Sequence, residues 1–131
     1  KDYKEVVKWW RKAADQGLAE AQYSLGVMYE RGRGVEQDDK EAAKWYRKAA
    51  EQGFGSAQKN LGVMYGFGNG VLQDYVTAYA WVNIAGANGA DVKKFKSEIL
   101  EKKMTPEQIA EGQKLTKEMV KKNPKLLQKQ K

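Results

Sequence analysis

The chain has 131 residues, a formal net charge of +7 and a hydrophobic share of 41%. This composition is typical of a globular protein, and the length suffices for one structural unit with a continuous core. Histidine and cysteine are absent, which excludes Cys/His zinc sites, histidine-based catalytic triads and disulfides. No apolar run approaches the roughly 18 residues of a membrane span. We therefore predict no metal, no cofactor and no membrane insertion.

The sequence matches itself when it is shifted by 36 residues. Residues 19–54 and 55–90 are identical at 16 of 36 positions, and residues 1–18 match residues 37–54 at 11 of 18. A fixed period of this length is the signature of stacked repeats, in which each unit contacts its neighbours. We predict a half repeat over 1–18 and two full repeats over 19–54 and 55–90. The function is then expected on an extended surface rather than in a catalytic pocket.

Each full unit predicts two helices with a turn after each. Apolar residues at helical spacing define the first helix (Ala21, Leu25, Met28, Tyr29) and the second (Ala42, Trp45, Tyr46, Ala49). Gly32 and Gly34 end the first helix, and Asp38 with Glu41 resembles a capping box at the start of the second. Because Trp9, Trp45 and Trp81 recur at the repeat period, we predict that all three lie in the core.

The remaining chain is expected to cover the second repeat. Residues 74–88 are apolar on nearly every side and carry one charge, so this helix must be buried on more than one face. Thr105, Pro106 and Gln108 form a strong start signal for a last helix, which Pro124 stops. We predict a capping helix pair over 91–123, which gives one domain over 1–123 with seven helices.

The positive charge belongs to the C-terminal end. Residues 91–131 carry 12 basic and 6 acidic side chains, and the lysines from Lys121 to Lys131 have no acidic neighbour. Such a tail suits either nucleic acid or an anionic membrane, or only a solubilising terminus. Arginine, which dominates specific phosphate recognition, is missing there. We therefore expect residues 124–131 to be a disordered tail without a nucleic-acid partner. Removal of Lys125–Lys131 is expected to change stability by about 0.5 kcal/mol at most.

Two motifs that suggest chemistry have simpler explanations. The glycines between Gly66 and Gly70 could cradle a phosphate, but no lysine–serine or lysine–threonine pair follows them, and the first repeat has a turn at the same place. The pair Asp38 and Asp39 begins a helix, so capping accounts for it. An enzyme built from carboxylates and lysines is the least favoured alternative.

The string from Ala19 to Asp38, A-x-A-Q-Y-x-L-G-x-M-Y-x-x-G-x-G-V-x-x-D, resembles the Sel-one-like repeat family. Residues 40–53, KEAAKWYRKAAEQG, look like the second helix of that family's unit, and residues 104–115 look like its closing helix. The resemblance implies an all-α, right-handed superhelical solenoid of antiparallel, tetratricopeptide-like helix pairs. It also implies a non-catalytic adaptor for other proteins, in a widespread bacterial family whose members are often exported. The compartment of this chain is thus expected to be the periplasm or the exterior.

The solenoid that this resemblance implies would have the first helices of the units on its concave face. Outward positions there define a predicted site for a protein or peptide, namely Tyr23, Val27, Lys59, Val63 and Phe67. The open N-terminal edge is a competing site, defined by Tyr3, Val7 and Trp10, where a second copy or an upstream repeat could dock. The alternative function is a purely structural segment of a longer repeat array that assembles through this edge.

Overall fold

The computed structural model describes residues 2–128, and all regular secondary structure within these residues is helical. The first five helices are α1 (Tyr3–Asp15), α2 (Ala19–Arg31), α3 (Asp39–Glu51), α4 (Gly55–Phe67) and α5 (Tyr75–Ala87). The helix α6 spans residues 93–103, with a π-helical stretch Phe95–Leu100 and a last turn Glu101–Lys103. It is followed by α7 (Pro106–Lys122) and a 3₁₀ turn Pro124–Leu126. These seven helices confirm the predicted all-α solenoid of antiparallel pairs.

Short polar signals fix where the helices begin. The Asp38 carboxylate accepts a hydrogen bond from the Glu41 N–H at 3.1 Å, and Asp74 does the same for Thr77 at 3.1 Å. Thr105 and Gln108 form the predicted capping box at the start of α7, with hydrogen bonds of 3.1 and 2.9 Å. Each bond satisfies an N–H that the helix leaves without a partner. The N-cap role of Asp38 and the start signal at Thr105 are confirmed. Asp38 and Glu41 do not form a full capping box, because the Asp38 N–H donates to the Tyr29 carbonyl at 2.9 Å.

The repeated tryptophans do not share one environment. Trp45 and Trp81 are each 4% exposed, as predicted, whereas Trp9 is 64% exposed. Trp45 lies in a cluster with Val7 of α1 and Leu25 of α2, so a tryptophan at this repeat position is buried by the preceding helices. No helix precedes α1 within the described residues. The prediction that Trp9 lies in the core is therefore wrong.

The C-terminal helices cover α5. Tyr79 and Val82 of α5 share an apolar cluster with Leu100 and Met104 from the α6 region. On the other side, a side chain at Gly112 of α7 would approach the Tyr79 ring to 2.6 Å, so these two helices are in close contact. The apolar composition of α5 is explained by this burial on two faces.

The expected disorder of the tail is wrong for residues 124–128. Leu126 is 2% exposed within the main core cluster. Its backbone carbonyl accepts hydrogen bonds from the side-chain amides of Gln58 at 2.9 Å and Asn88 at 2.8 Å. The lysines of the tail favour disorder, but Leu126 and Leu127 supply the apolar area that holds the tail against the core. The expected disorder of residues 129–131 lies outside the described residues.

Candidate functional site

An open groove lies between α2 and α4, the first helices of adjacent repeats, and we call it the α2–α4 groove. It has a volume of about 530 Å³, within the usual range of roughly 300–1,000 Å³ for ligand sites. Its wall combines aromatic, aliphatic, amide and charged side chains. They are Tyr23, Val27, Glu30, Arg31, Tyr46, Asn60, Val63, Met64 and Asn69.

The floor of the groove is fixed by a bond between two helices. The Tyr46 hydroxyl of α3 donates a hydrogen bond to the Glu30 carboxylate of α2 at 2.6 Å. Burial, reinforced by the neighbouring Glu30 carboxylate, raises the pKa of the Tyr46 hydroxyl well above its ordinary value of 10.0. Tyr46 therefore stays protonated and neutral near neutral pH, and it holds the Glu30 side chain in place.

The groove carries little net charge, because Glu30 and Arg31 offset each other. Val27, Val63 and Met64 offer apolar contact, while Asn60 and Asn69 each offer an amide donor and an amide acceptor. Such a surface suits the alternating backbone amides and apolar side chains of a peptide better than it suits a highly charged ligand.

The five side chains of the predicted partner-binding site do not line one surface. Tyr23, Val27 and Val63 border the α2–α4 groove. Lys59 lines a separate cleft of about 430 Å³ beside α6. Phe67 is 52% exposed and packs edge-on against Phe95 of α6, with ring centroids 5.7 Å apart. The α6 helix thus occupies the space next to Lys59 and Phe67, and one continuous groove over all five is not formed.

Tyr46 is a residue of the groove that sequence reasoning missed. Its place on the apolar face of α3 indicated a core residue, and the ring is indeed fully buried. The hydroxyl nevertheless points to Glu30 at the groove. The hydroxyl of Tyr46 on an otherwise apolar helix face could have indicated this, since a buried tyrosine hydroxyl requires a hydrogen-bond partner.

The N-terminal edge has a different composition from the predicted one. Val7 is 5% exposed and Trp10 is half-buried, because both pack in the cluster around Leu25 and Trp45. Tyr3 is half-buried, and the Arg33 guanidinium lies over its ring at 5.4 Å. The exposed aromatic side chain is Trp9, and it borders a cleft of about 330 Å³ along the outer face of α1. Lys12 lies over the Trp9 ring at 5.3 Å, in the way that Lys48 lies over Trp45 at 4.9 Å.

Within residues 2–128 there is no cluster of three or more acidic residues that could hold a metal ion. None of the helices in this part of the chain is both long enough and apolar enough to cross a membrane.

The sequence matches the Sel1 repeat over residues 1–18, 19–54 and 55–89. The chain belongs to the Sel1 repeat family. Sel1 repeats typically form scaffolds that bind other proteins and are generally not enzymes. The matched segments agree with the half repeat and the two full repeats that the 36-residue period predicts, apart from the last residue. The search of curated proteins gave no significant match.

Two solved structures from bacteria resemble the chain over much of its length. One is a protective antigen present in uropathogenic Escherichia coli strains, which displays an SLR fold; it is 38% identical, with a TM-score of 0.87 over 100% of this chain. The other is a Sel1 repeat protein from Oxalobacter formigenes, 38% identical, with a TM-score of 0.65 over 70% of this chain. The chain spans 30% and 37% of the length of those two proteins.

Proposed function

We propose that this chain is a non-catalytic interaction module that binds an extended peptide segment of a partner protein in the α2–α4 groove. The observation that carries the proposal is the groove floor. It is fixed before any ligand arrives by the 2.6 Å bond between Tyr46 and Glu30. A preordered surface loses little conformational freedom on binding, which favours affinity.

The side chains around this floor favour a ligand of particular chemistry. An apolar side chain of the peptide would rest on Val27, Val63 and Met64, and the Asn60 amide would bond a peptide group of its backbone. Since the groove is close to neutral, the ligand residues within it are expected to be uncharged. A charged residue would find Arg31 or Glu30 only at the exposed end of α2.

The test uses Val63→Glu, which places a charge in the groove and leaves the residues Tyr46 and Glu30 themselves unchanged. Peptides would be selected by display against the wild-type chain, and their affinities measured by titration. We expect Val63→Glu to weaken binding by more than about 2 kcal/mol, the scale of a hot spot. Leu72→Glu is the matched control, because Leu72 is 89% exposed in the loop before α5. Equal affinity of the two variants would overturn the proposal.

Tyr23→Ala is a poorer test than Val63→Glu. The Tyr23 ring packs against Tyr46 at 5.8 Å and against Phe54 at 5.2 Å between centroids. Its truncation would therefore disturb the floor of the groove together with its lining, and a loss of binding would not separate recognition from folding.

A second candidate function is assembly through the outer face of α1, with a second copy or with further repeats. The observation that favours it is Trp9, which is 64% exposed while its counterparts Trp45 and Trp81 are 4% exposed. Sedimentation of the wild type against Trp9→Lys tests this candidate. Assembly through the edge requires a concentration-dependent wild-type mass that Trp9→Lys reduces to that of one chain. A single-chain mass for both proteins would leave the edge without a role in self-association.

A further inference from the structure

The turns between repeats carry two copies of one arrangement of side-chain amides. In the first copy, Gln52 donates to Gln22 Oε1 at 2.9 Å and to the Gly17 carbonyl at 2.9 Å. In the second, Asn88 donates to Gln58 Oε1 at 2.7 Å. Gln22 and Gln58, and likewise Gln52 and Asn88, are 36 residues apart. The two arrangements are therefore equivalent positions of the repeat.

The second copy holds a peptide segment, which is the tail of the same chain. The Leu126 carbonyl accepts from Gln58 and Asn88, and the Gln128 N–H donates to Asn88 Oδ1 at 2.8 Å. The Gln128 side chain donates to the Gly53 carbonyl at 2.8 Å. The amides of the second copy thus bind one backbone carbonyl and one backbone N–H on either side of Leu127, where the 3₁₀ turn ends and the chain becomes extended.

The first copy has the equivalent side-chain amides, those of Gln22 and Gln52, but none of the described residues supplies a backbone segment for them to bind. Gln22 is 5% exposed, and its amide nitrogen donates to the Ala14 carbonyl at 3.2 Å, which leaves its second N–H without an acceptor among the described residues. Within the same residues, Gln52 Oε1 accepts no hydrogen bond. A Cβ atom on Gly17 would have no atom of residues 2–128 within 4 Å, whereas a Cβ atom on the equivalent Gly53 would meet the Lys125 carbonyl.

We propose that Gln22, Gln52 and the exposed Leu18 form a second peptide site on a surface separate from the α2–α4 groove. Its ligand is an extended segment of a partner protein that presents a backbone carbonyl to Gln22, a backbone N–H to Gln52 and an apolar side chain to Leu18. Leu18 is 53% exposed. Gln52 is exposed as well, so both side chains are open to a segment that lies beside Gly17.

The chain's own tail is not the ligand of this first site. Its attachment to α7 holds it beside Gly53 at a high effective concentration, and its bonds to Gln58, Asn88 and Gly53 are already formed. The tail of a second copy is engaged in the same way. The ligand is accordingly a segment of another protein with the tail's chemistry.

The probe is a peptide with the sequence of residues 123–128, Asn-Pro-Lys-Leu-Leu-Gln, with both ends blocked. It is added to the isotope-labelled full chain, and binding is followed by nuclear magnetic resonance. We expect saturable shifts of the side-chain amides of Gln22 and Gln52 and of the backbone N–H of Leu18. The amides of Gln58 and Asn88 should stay in place. Shifts confined to Gln58 and Asn88, or no shifts at all, would overturn the proposal.

Two variants make the test specific to this surface. Leu18→Glu should lower the affinity for the peptide by about tenfold, the effect of removing one good apolar contact. Leu72→Glu should leave this affinity unchanged. Val63→Glu, which tests the α2–α4 groove, should also bind this peptide as the wild type does. Equal affinity of Leu18→Glu and wild type would refute the site at Leu18. A loss confined to Val63→Glu would assign the peptide to the α2–α4 groove.

Discussion

The side-chain amide of Gln58 donates a hydrogen bond at 2.9 Å to the backbone carbonyl of Leu126, which lies 68 residues further along the chain. Gln58 is fully buried, so a lost acceptor there would leave a polar group without compensation. The bond joins the last described residues to the start of α4. The tail therefore belongs to the packed structure of the second repeat.

The first prediction concerns the stability that this tail supplies. Leu126→Ala should lower the free energy of unfolding by about 2–5 kcal/mol, the usual range for a buried leucine. Urea titration measures the loss. Lys125→Ala is the neighbouring control, and because Lys125 is exposed it should change stability by about 0.5 kcal/mol at most. Similar small effects of both variants would mean that the tail is not docked in solution.

The second prediction compares two tryptophans at one repeat position. Trp45→Ala should cost about 3–5 kcal/mol, because a buried aromatic side chain leaves a cavity. Trp9→Ala should cost no more than about 0.5 kcal/mol, as for surface substitutions generally. Urea titrations of both variants check the difference. A large loss for Trp9→Ala would show that the outer face of α1 is covered in solution.

The helices, their caps and the repeat boundaries could be predicted because each depends on residues close together in the sequence. Asp38 and Glu41, for example, lie within one helical turn, and the period of 36 residues is read directly from the chain. The cover over α5 was also predictable, since a helix that is apolar on nearly every side must be buried.

Contacts that depend on distant residues could not be predicted. The position of Trp9 required knowing that the preceding helices bury this repeat position. The docking of Leu126 required the distant amides of Gln58 and Asn88. The five residues of the predicted partner-binding site do not form a single groove, because Phe95 of α6 packs against Phe67. Nothing in the residue spacing of α4 indicates that contact.

The third prediction concerns the glycine inside α2. Glycine costs about 1 kcal/mol against alanine in a helix, yet a side chain at Gly26 would come within 2.5 Å of the Tyr46 ring. The neighbour that excludes a side chain at Gly26 is thus an aromatic ring of α3. We expect Gly26→Ala to destabilise the chain, since overpacking costs about 1–3 kcal/mol and outweighs the gain in helix propensity.

A double-mutant cycle isolates this contact. In a Tyr46→Leu background, Gly26→Ala should cost at least about 0.5 kcal/mol less than in the wild type, because contacting residues are not additive. Additive effects within error would place the cause of the Gly26→Ala loss away from the Tyr46 ring.

The last prediction is a pH dependence carried by Tyr46. Its pKa is raised above 10.0 in the folded chain, first by burial and then by Glu30. The unfolded chain therefore loses this proton near pH 10 while the folded chain retains it, so the free energy of unfolding falls as the pH rises further. Between pH 9 and 11 the free energy of unfolding of the wild type should fall by about 1.4 kcal/mol more than that of Tyr46→Phe, the limit for one group over this interval.

Burial raises the pKa of Tyr79 as well, so the difference between the wild type and Tyr46→Phe is the quantity to measure. Tyr75→Phe, at a half-buried ring, is the control for losing a hydroxyl. A Tyr46→Phe curve parallel to the wild type would mean that the Tyr46 hydroxyl is open to solvent and that the groove floor is not fixed.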